Sequence, residues 1–145
     1  MADFKNILVP IDFSDHSAVA LETAAKIAKA FGGRIRLLHC YQIQPGGVSP
    51  YGIALPSNYY SDIRNAASQQ LQEWQKRIAP EGVEVESTLM GEFPSHAIAM
   101  TAEEMGADLI VMGTRGLSGI KHVMLGSVAE RTVRIAPCPV MTVKA

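Results

Sequence analysis

The run Ile7-Leu8-Val9-Pro10-Ile11, followed at once by Asp12, indicates how this 145-residue chain folds. Five consecutive apolar residues are typical of a strand that is buried on both faces, as the strands of a parallel sheet are. Ser14 can cap a helix after this strand, and Asp15 adds a favourable negative charge to its first turn. Gly32-Gly33 then ends the helix. The segment predicts a strand followed by a helix that packs against it.

The same alternation continues to the end of the chain. Its pattern predicts further strands at residues 35–40, 83–86, 107–112 and 140–143, and helices at about 57–79, 94–105 and 127–136. Strands that alternate with helices form a parallel sheet with helices on both faces. The length fits one domain, residues 1–145. Six Pro and Gly residues between 42 and 57 predict a long loop there.

Composition excludes several classes of protein. Hydrophobic residues make up 48% and charged residues 19%, which is ordinary for a globular domain and argues against disorder. A net charge of −1 argues against general binding to nucleic acid or to an anionic membrane, and the apolar runs are too short to span a bilayer. Cys40 and Cys138 form no C-x-x-C pair, so we expect reduced thiols, packed as small apolar side chains, in a cytoplasmic protein.

A glycine-rich connection, residues 113–127, is the segment most suggestive of chemistry. Gly116 and Gly119 remove side chains where a ligand would approach the backbone, and Ser127 stands at a predicted helix start, where N–H groups favour an anion. From position 113 onward five residues are basic and only Glu130 is acidic. These residues alone leave two interpretations open, a phosphate site or a flexible loop with Ser127 as an ordinary helix cap.

Other candidate residues are equally ambiguous by themselves. Asp12 could contact a ligand, or could simply accept hydrogen bonds at the start of the first helix. The four histidines contain no i, i+4 pair and predict surface or core roles. Neither the G-x4-G-K-S/T phosphate loop nor the G-x-G-x-x-G dinucleotide motif occurs.

The spacing Gly113-x2-Gly116-x9-Gly126-Ser127 resembles the G-x2-G-x9-G-S/T motif of nucleotide-binding universal stress proteins. The resemblance extends to Asp12 after the first strand and to residues 107–113, 126–130 and 136–140, so it covers nearly the whole chain. It implies an open α/β domain of the adenine nucleotide alpha hydrolase-like kind, with five parallel strands in the order 3-2-1-4-5.

That order implies a ligand site, because strands one and four then end side by side at the switch point of the sheet. The resemblance implies ATP as the ligand. We expect Mg²⁺ to bridge its phosphates, since the sequence shows no protein metal site. The nucleoside would lie near Asp12, the base near the backbone of Cys40, and the ribose and phosphates near the glycine motif. The implied nucleotide-binding residues are Pro10, Ile11, Asp12, Cys40, Met112, Gly113, Arg115, Gly116, Gly126, Ser127 and Val128.

The function that follows is a nucleotide-dependent regulatory module in a stress response. The sequence offers no well-placed general base, so ATP hydrolysis would be slow at most. Two alternatives stay open, a protein-interaction module that uses no nucleotide and a relative of adenylate-forming enzymes or flavoproteins. Residues 140–143 form an apolar, β-branched edge strand, which predicts a homodimer through this strand, as the resemblance also implies. The regulatory protein partner is not indicated.

Overall fold

The computed structural model describes residues 3–41, 49, 51–78, 82–115 and 125–145. Within them the strands and helices alternate strictly along the chain, as the apolar pattern predicts. The strands are β1 (Asn6–Pro10), β2 (Arg34–Cys40), β3 (Glu84–Met90), β4 (Leu109–Gly113) and β5 (Val140–Val143). The helices are α1 (Asp15–Phe31), α2 (Tyr59–Ile78), α3 (Pro94–Met105) and α4 (Ser127–Ile135).

The described strands form one parallel sheet in the order β3-β2-β1-β4-β5, which confirms the expected topology. β1 lies at the centre, where Leu8 pairs with Arg36 of β2 on one side and with Ile110 of β4 on the other. After β1 the chain adds β2 and β3 on one side of it, and then returns to add β4 and β5 on the other side. The carboxyl ends of β1 and β4 flank the switch point, where open α/β sheets hold their ligands.

Two apolar layers cover the two faces of the sheet. Ile7 and Val9 pack into the layer that includes α1 and α2, whereas Leu8 packs into the layer that includes α3. Consecutive strand residues point to opposite faces, so a strand buried on both faces must be apolar at every position. This requirement explains the uninterrupted apolar run of β1.

The main error of the sequence prediction concerns β3. The pattern placed this strand at 83–86, but it runs from Glu84 to Met90 and stays paired with β2 through Cys40 and Met90. β3 is at the sheet edge, as expected, and its polar residues Ser87 and Thr88 interrupt the apolar pattern. Backbone pairing to β2 extends the strand where side-chain periodicity gives no signal. No helix in the described part of the chain is long and apolar enough to cross a membrane.

Candidate functional site

The turn between β1 and α1 holds the Asp12 carboxylate in a fixed position. Asp12 Oδ1 accepts hydrogen bonds from Ser14 N at 3.0 Å and from Ser17 Oγ at 2.7 Å. Ser14 in turn caps α1, because its Oγ accepts from Ser17 N at 3.2 Å. Asp12 is therefore an acceptor at the helix start, as one of the two interpretations proposed. The same bonds hold its carboxyl group at the carboxyl end of β1.

Phe13 gives this turn an unusual shape that the sequence did not signal. Its φ is 66°, a left-handed backbone conformation that bulky residues rarely adopt. Its ring lies 4.4 Å from the His39 ring and 5.6 Å from the Trp74 ring, centroid to centroid. His39 Nδ1 is 2.8 Å from the Ile11 carbonyl oxygen, which can only accept, so Nδ1 carries the proton and donates. These contacts tie the turn to β2 and α2.

The end of β4 packs directly against α1. A Cβ atom on Gly113 would stand 2.6 Å from the Cβ of His16, well inside contact distance. Only glycine allows β4 to approach the first turn of α1 this closely. Gly113 is thus required by the packing of the chain itself, and this packing brings the end of β4 beside the turn that carries Asp12.

Gly126 occupies a different environment. It is the residue before α4, and its φ of −71° is open to any amino acid. A Cβ on Gly126 would meet the Thr114 carbonyl oxygen at 3.4 Å and Arg115 Cα at 3.6 Å, which are ordinary contacts. Nothing in the described fold requires glycine at this position. Its N–H donates to the Thr114 carbonyl at 2.6 Å, which joins the start of α4 to the end of β4.

The start of α4 has no side-chain cap. Gly126 is the N-cap residue, so Ser127 is the first helical residue, and the interpretation of Ser127 as an ordinary N-cap is wrong. The first helical hydrogen bond runs from Glu130 N to the Gly126 carbonyl, so the N–H groups of residues 127–129 precede the helical ladder. Such N–H groups and the positive end of the helix dipole attract an anion.

The structure places the predicted residues in three groups. One group ends β1, one ends β4, and one starts α4. Ile11 and Met112 are buried in the core. The three groups are Pro10, Ile11 and Asp12; Met112, Gly113 and Arg115; and Gly126, Ser127 and Val128. Gly116 lies outside the described residues, as do Gly119, Lys121 and His122.

Cys40 ends β2, beside the end of β1, where Ile11 N donates to the Leu38 carbonyl at 2.8 Å. Burial, and secondly the negative charge of Glu92, raise the pKa of the Cys40 thiol to about 11. Burial, and secondly Asp108, also raise the pKa of Cys138. Both cysteines are free and pack against the apolar layer of α3, as expected from the sequence.

An open parallel sheet whose order reverses between β1 and β4, with a helix start that has no side-chain cap, defines the class of this protein. It is a doubly wound α/β domain with the order 3-2-1-4-5. The family model described as "Universal stress protein family" matches residues 3–144. The chain belongs to the universal stress protein family.

Individual relatives match over almost their full length. The chain is 35% identical to the universal stress protein YxiE of Bacillus subtilis, with 97% of this chain and 99% of YxiE covered. The solved structure of MJ0577 from Methanocaldococcus jannaschii superposes with a TM-score of 0.85 at 26% identity, covering 99% of this chain and 97% of that one. A universal stress protein in complex with cAMP superposes with a TM-score of 0.73 at 26% identity, covering 98% of both chains.

Proposed function

We propose that this protein is a nucleotide-dependent regulatory module of the stress response whose ligand is ATP. One observation carries the proposal. Gly126 stands at the uncapped start of α4, beside the end of β4, and neither its backbone angles nor the described neighbours require glycine there. A glycine that the fold does not require is explained if a ligand approaches the backbone at that position.

The cAMP complex of a structural neighbour supports an adenine nucleotide as the ligand class. The motif resemblance and the local basic residues favour a ligand with more than one phosphate. We propose that the phosphates lie against residues 126–128 and the end of β4, where helix N–H groups can donate to them. The nucleoside would then lie toward Asp12 and the end of β2.

Magnesium would be held by the nucleotide rather than by a protein cage. Among the residues that the structure describes, no three His, Cys, Asp or Glu side chains form a group able to hold a metal ion. Mg²⁺ is commonly bound through substrate phosphates with few protein carboxylates, so this donor set fits Mg²⁺–ATP. The ion would partly neutralise the negative charge of the phosphates that lie against the start of α4.

The proposal includes a cytoplasmic homodimer formed through β5. Val140–Val143 lies at the edge of the sheet, and Met141 is exposed there. An apolar edge strand with unpaired backbone groups is well suited to pairing with a second copy. Antiparallel pairing of two such strands closes a two-fold dimer.

The alternatives make different predictions for protein purified without added nucleotide. Mass spectrometry of the material released on denaturation should detect ATP or ADP if the proposal is right. A flavin or an activated adenylate would instead indicate a relative of flavoproteins or adenylate-forming enzymes. A protein that carries nothing and binds no added ATP would favour a nucleotide-independent interaction module.

Substitution of Gly126 tests the phosphate site directly. We expect isothermal titration calorimetry to show that Gly126→Ala weakens ATP binding and that Gly126→Val abolishes it, because each added carbon fills space that the phosphates need. Gly126→Ala should unfold near the wild-type temperature, since the backbone angles and the described neighbouring atoms accept a Cβ.

Gly113→Ala is the matched control for this experiment. Its added Cβ would collide with His16, so this variant should lose thermal stability, in contrast to Gly126→Ala. Unchanged ATP affinity in Gly126→Val would show that the start of α4 is not the phosphate site.

A further inference from the structure

Two threonine hydroxyls are buried in an unusual way. Thr114 is 3% exposed and Thr132 is fully buried, and neither Oγ1 atom has a hydrogen-bond partner among the residues that the structure describes. A hydroxyl that leaves water without gaining a partner destabilises the fold, so each such group in a native structure calls for an explanation. Thr114 follows β4 and Thr132 lies within α4, and the two positions permit different explanations.

Thr114 directly follows β4 and continues its pairing. Its N–H donates to the Val143 carbonyl of β5 at 3.0 Å, so the strand geometry extends through this residue. The alternation of strand side chains therefore places Thr114 on the same face as Met112, which packs in the layer of α3 and Ala129 of α4. The Thr114 carbonyl accepts the Gly126 N–H at 2.6 Å, so the residue lies against the first turn of α4.

Thr114, which carries the buried hydroxyl, thus lies beside the start of α4. The N–H groups of residues 127–129 precede the helical ladder, and α4 has no side-chain cap. A phosphate oxygen bound there would take hydrogen bonds from the helix and could also accept one from a neighbouring hydroxyl. Thr114 is a buried residue beside this helix start, and its hydroxyl has a proton to donate and no acceptor among the described residues.

Thr132 lacks this relationship. It lies in the middle of α4, five residues beyond Ser127, which places it about 7 Å along the helix axis from the first helical residue. It shares the burial and the missing partner of Thr114 but not the position. Thr132 therefore serves as an internal control for the effect of removing a buried hydroxyl.

We propose that Thr114 is a phosphate-binding residue, whose hydroxyl donates a hydrogen bond to a phosphate oxygen of the nucleotide at the start of α4. This inference rests on the proposed function and adds to it a side chain that distinguishes phosphorylated ligands from the bare nucleoside. Among the described residues the hydroxyl has no partner, and the bound phosphate would supply an acceptor.

The test compares four proteins, wild type, Thr114→Val, Thr114→Ser and Thr132→Val, each titrated with Mg²⁺–ATP and with adenosine. Valine has the shape of threonine without its hydroxyl. We expect Thr114→Val to bind ATP about 10-fold more weakly, the usual scale for loss of a hydrogen bond to a charged group, and to bind adenosine as the wild type does. Thr114→Ser should keep the wild-type ATP affinity, and so should Thr132→Val.

Thermal unfolding without ligand separates binding from folding. Both valine variants should be at least as stable as the wild type, because each removes a buried hydroxyl for which the described residues offer no partner. Should Thr114→Val fail to fold, Thr114→Ala carries the same comparison.

The possible results separate the two proposals. Equal ATP affinity in wild type and Thr114→Val, or equal weakening of ATP and adenosine, would overturn the role of Thr114 and leave the proposed function intact. A wild-type protein that binds no ATP would overturn both.

Discussion

At the scale of single residues, neighbours rather than residue type decide what each side chain can do. Gly113 and Gly126 belong to the same motif but differ in their surroundings. Any larger residue at position 113 would collide with His16, whereas nothing in the described fold requires glycine at position 126. Cys40 shows the same dependence on surroundings, because a thiol that ionises easily is reactive. Burial and Glu92 raise its pKa to about 11 and keep it protonated.

The raised pKa of Cys40 predicts a pH dependence of stability. The folded state holds the thiol proton more tightly than the unfolded chain, whose cysteine has a pKa near 9.0. Between about pH 9 and about pH 11 the unfolded state therefore binds fewer protons, and the free energy of unfolding falls as the pH rises. The stabilisation from the neutral thiol is complete below this window and is lost above it.

Urea unfolding of the wild type and of Cys40→Ala across this range measures the effect. The stability difference between the two proteins should shrink as the pH rises, while Cys138, present in both, cancels. A difference that stays constant from neutral pH to about pH 11 would show that the pKa of Cys40 is not raised.

At the scale of secondary-structure elements, the starts of α1 and α4 differ in a way that matters for function. Ser14 caps α1 and the Asp12 carboxylate bonds to the same turn, so this helix start is satisfied by its own chain. α4 begins after Gly126 with no side-chain cap. The first arrangement stabilises the fold, and the second leaves N–H groups for a ligand.

Removal of each serine should therefore have a different effect. Ser14→Ala should lower the free energy of unfolding by about 1 kcal/mol, the usual value of a helix cap, and the midpoint of thermal unfolding by a few degrees. Ser14→Thr keeps a capping oxygen and should recover most of this loss. Ser127→Ala is the matched control at α4 and should leave the unfolding temperature of the ligand-free protein unchanged. Equal losses at the two positions would contradict the difference between the helix starts.

At the scale of the whole molecule, the open edge of β5 is the surface most suited to a second copy. Ile110 N donates to the Pro139 carbonyl, and Thr114 N donates to the Val143 carbonyl, each at 3.0 Å. Because neighbouring backbone groups of a strand alternate in direction, Met141 also faces β4, whereas the N–H of Thr142 faces the open edge. A dimer through β5 would use the groups of Thr142.

This alternation gives a selective test of the proposed dimer. Thr142→Pro removes an outward N–H and keeps the pairing with β4, so we expect a folded monomer. Met141→Pro removes an inward N–H and should instead lower the thermal stability of the protein itself. Light scattering after size exclusion measures the mass of each variant. A monomeric wild type at micromolar concentration would refute the dimer, and a dimeric Thr142→Pro variant would place the interface elsewhere.

The sequence by itself determined the alternation of strands and helices, the class of fold and the family. These follow from local information, since apolar periodicity, glycine and proline breaks and motif spacing are all properties of neighbouring residues. The end of β3 was missed because its last residues are paired through the backbone to β2, and side-chain periodicity does not record backbone pairing. The roles of Ser127 and Asp12 also stayed ambiguous, because the sequence does not record which hydrogen bonds their side chains make.

Only the tertiary structure separated the two glycines, the two threonines and the two helix starts. Gly113 packs against His16, which is distant in sequence, and Thr114 is hydrogen-bonded both to Val143 of β5 and to Gly126, the residue before α4. The left-handed backbone of Phe13 depends on rings from β2 and α2. A residue type states which bonds a side chain can make, but burial, collisions and missing partners arise only when distant segments pack together.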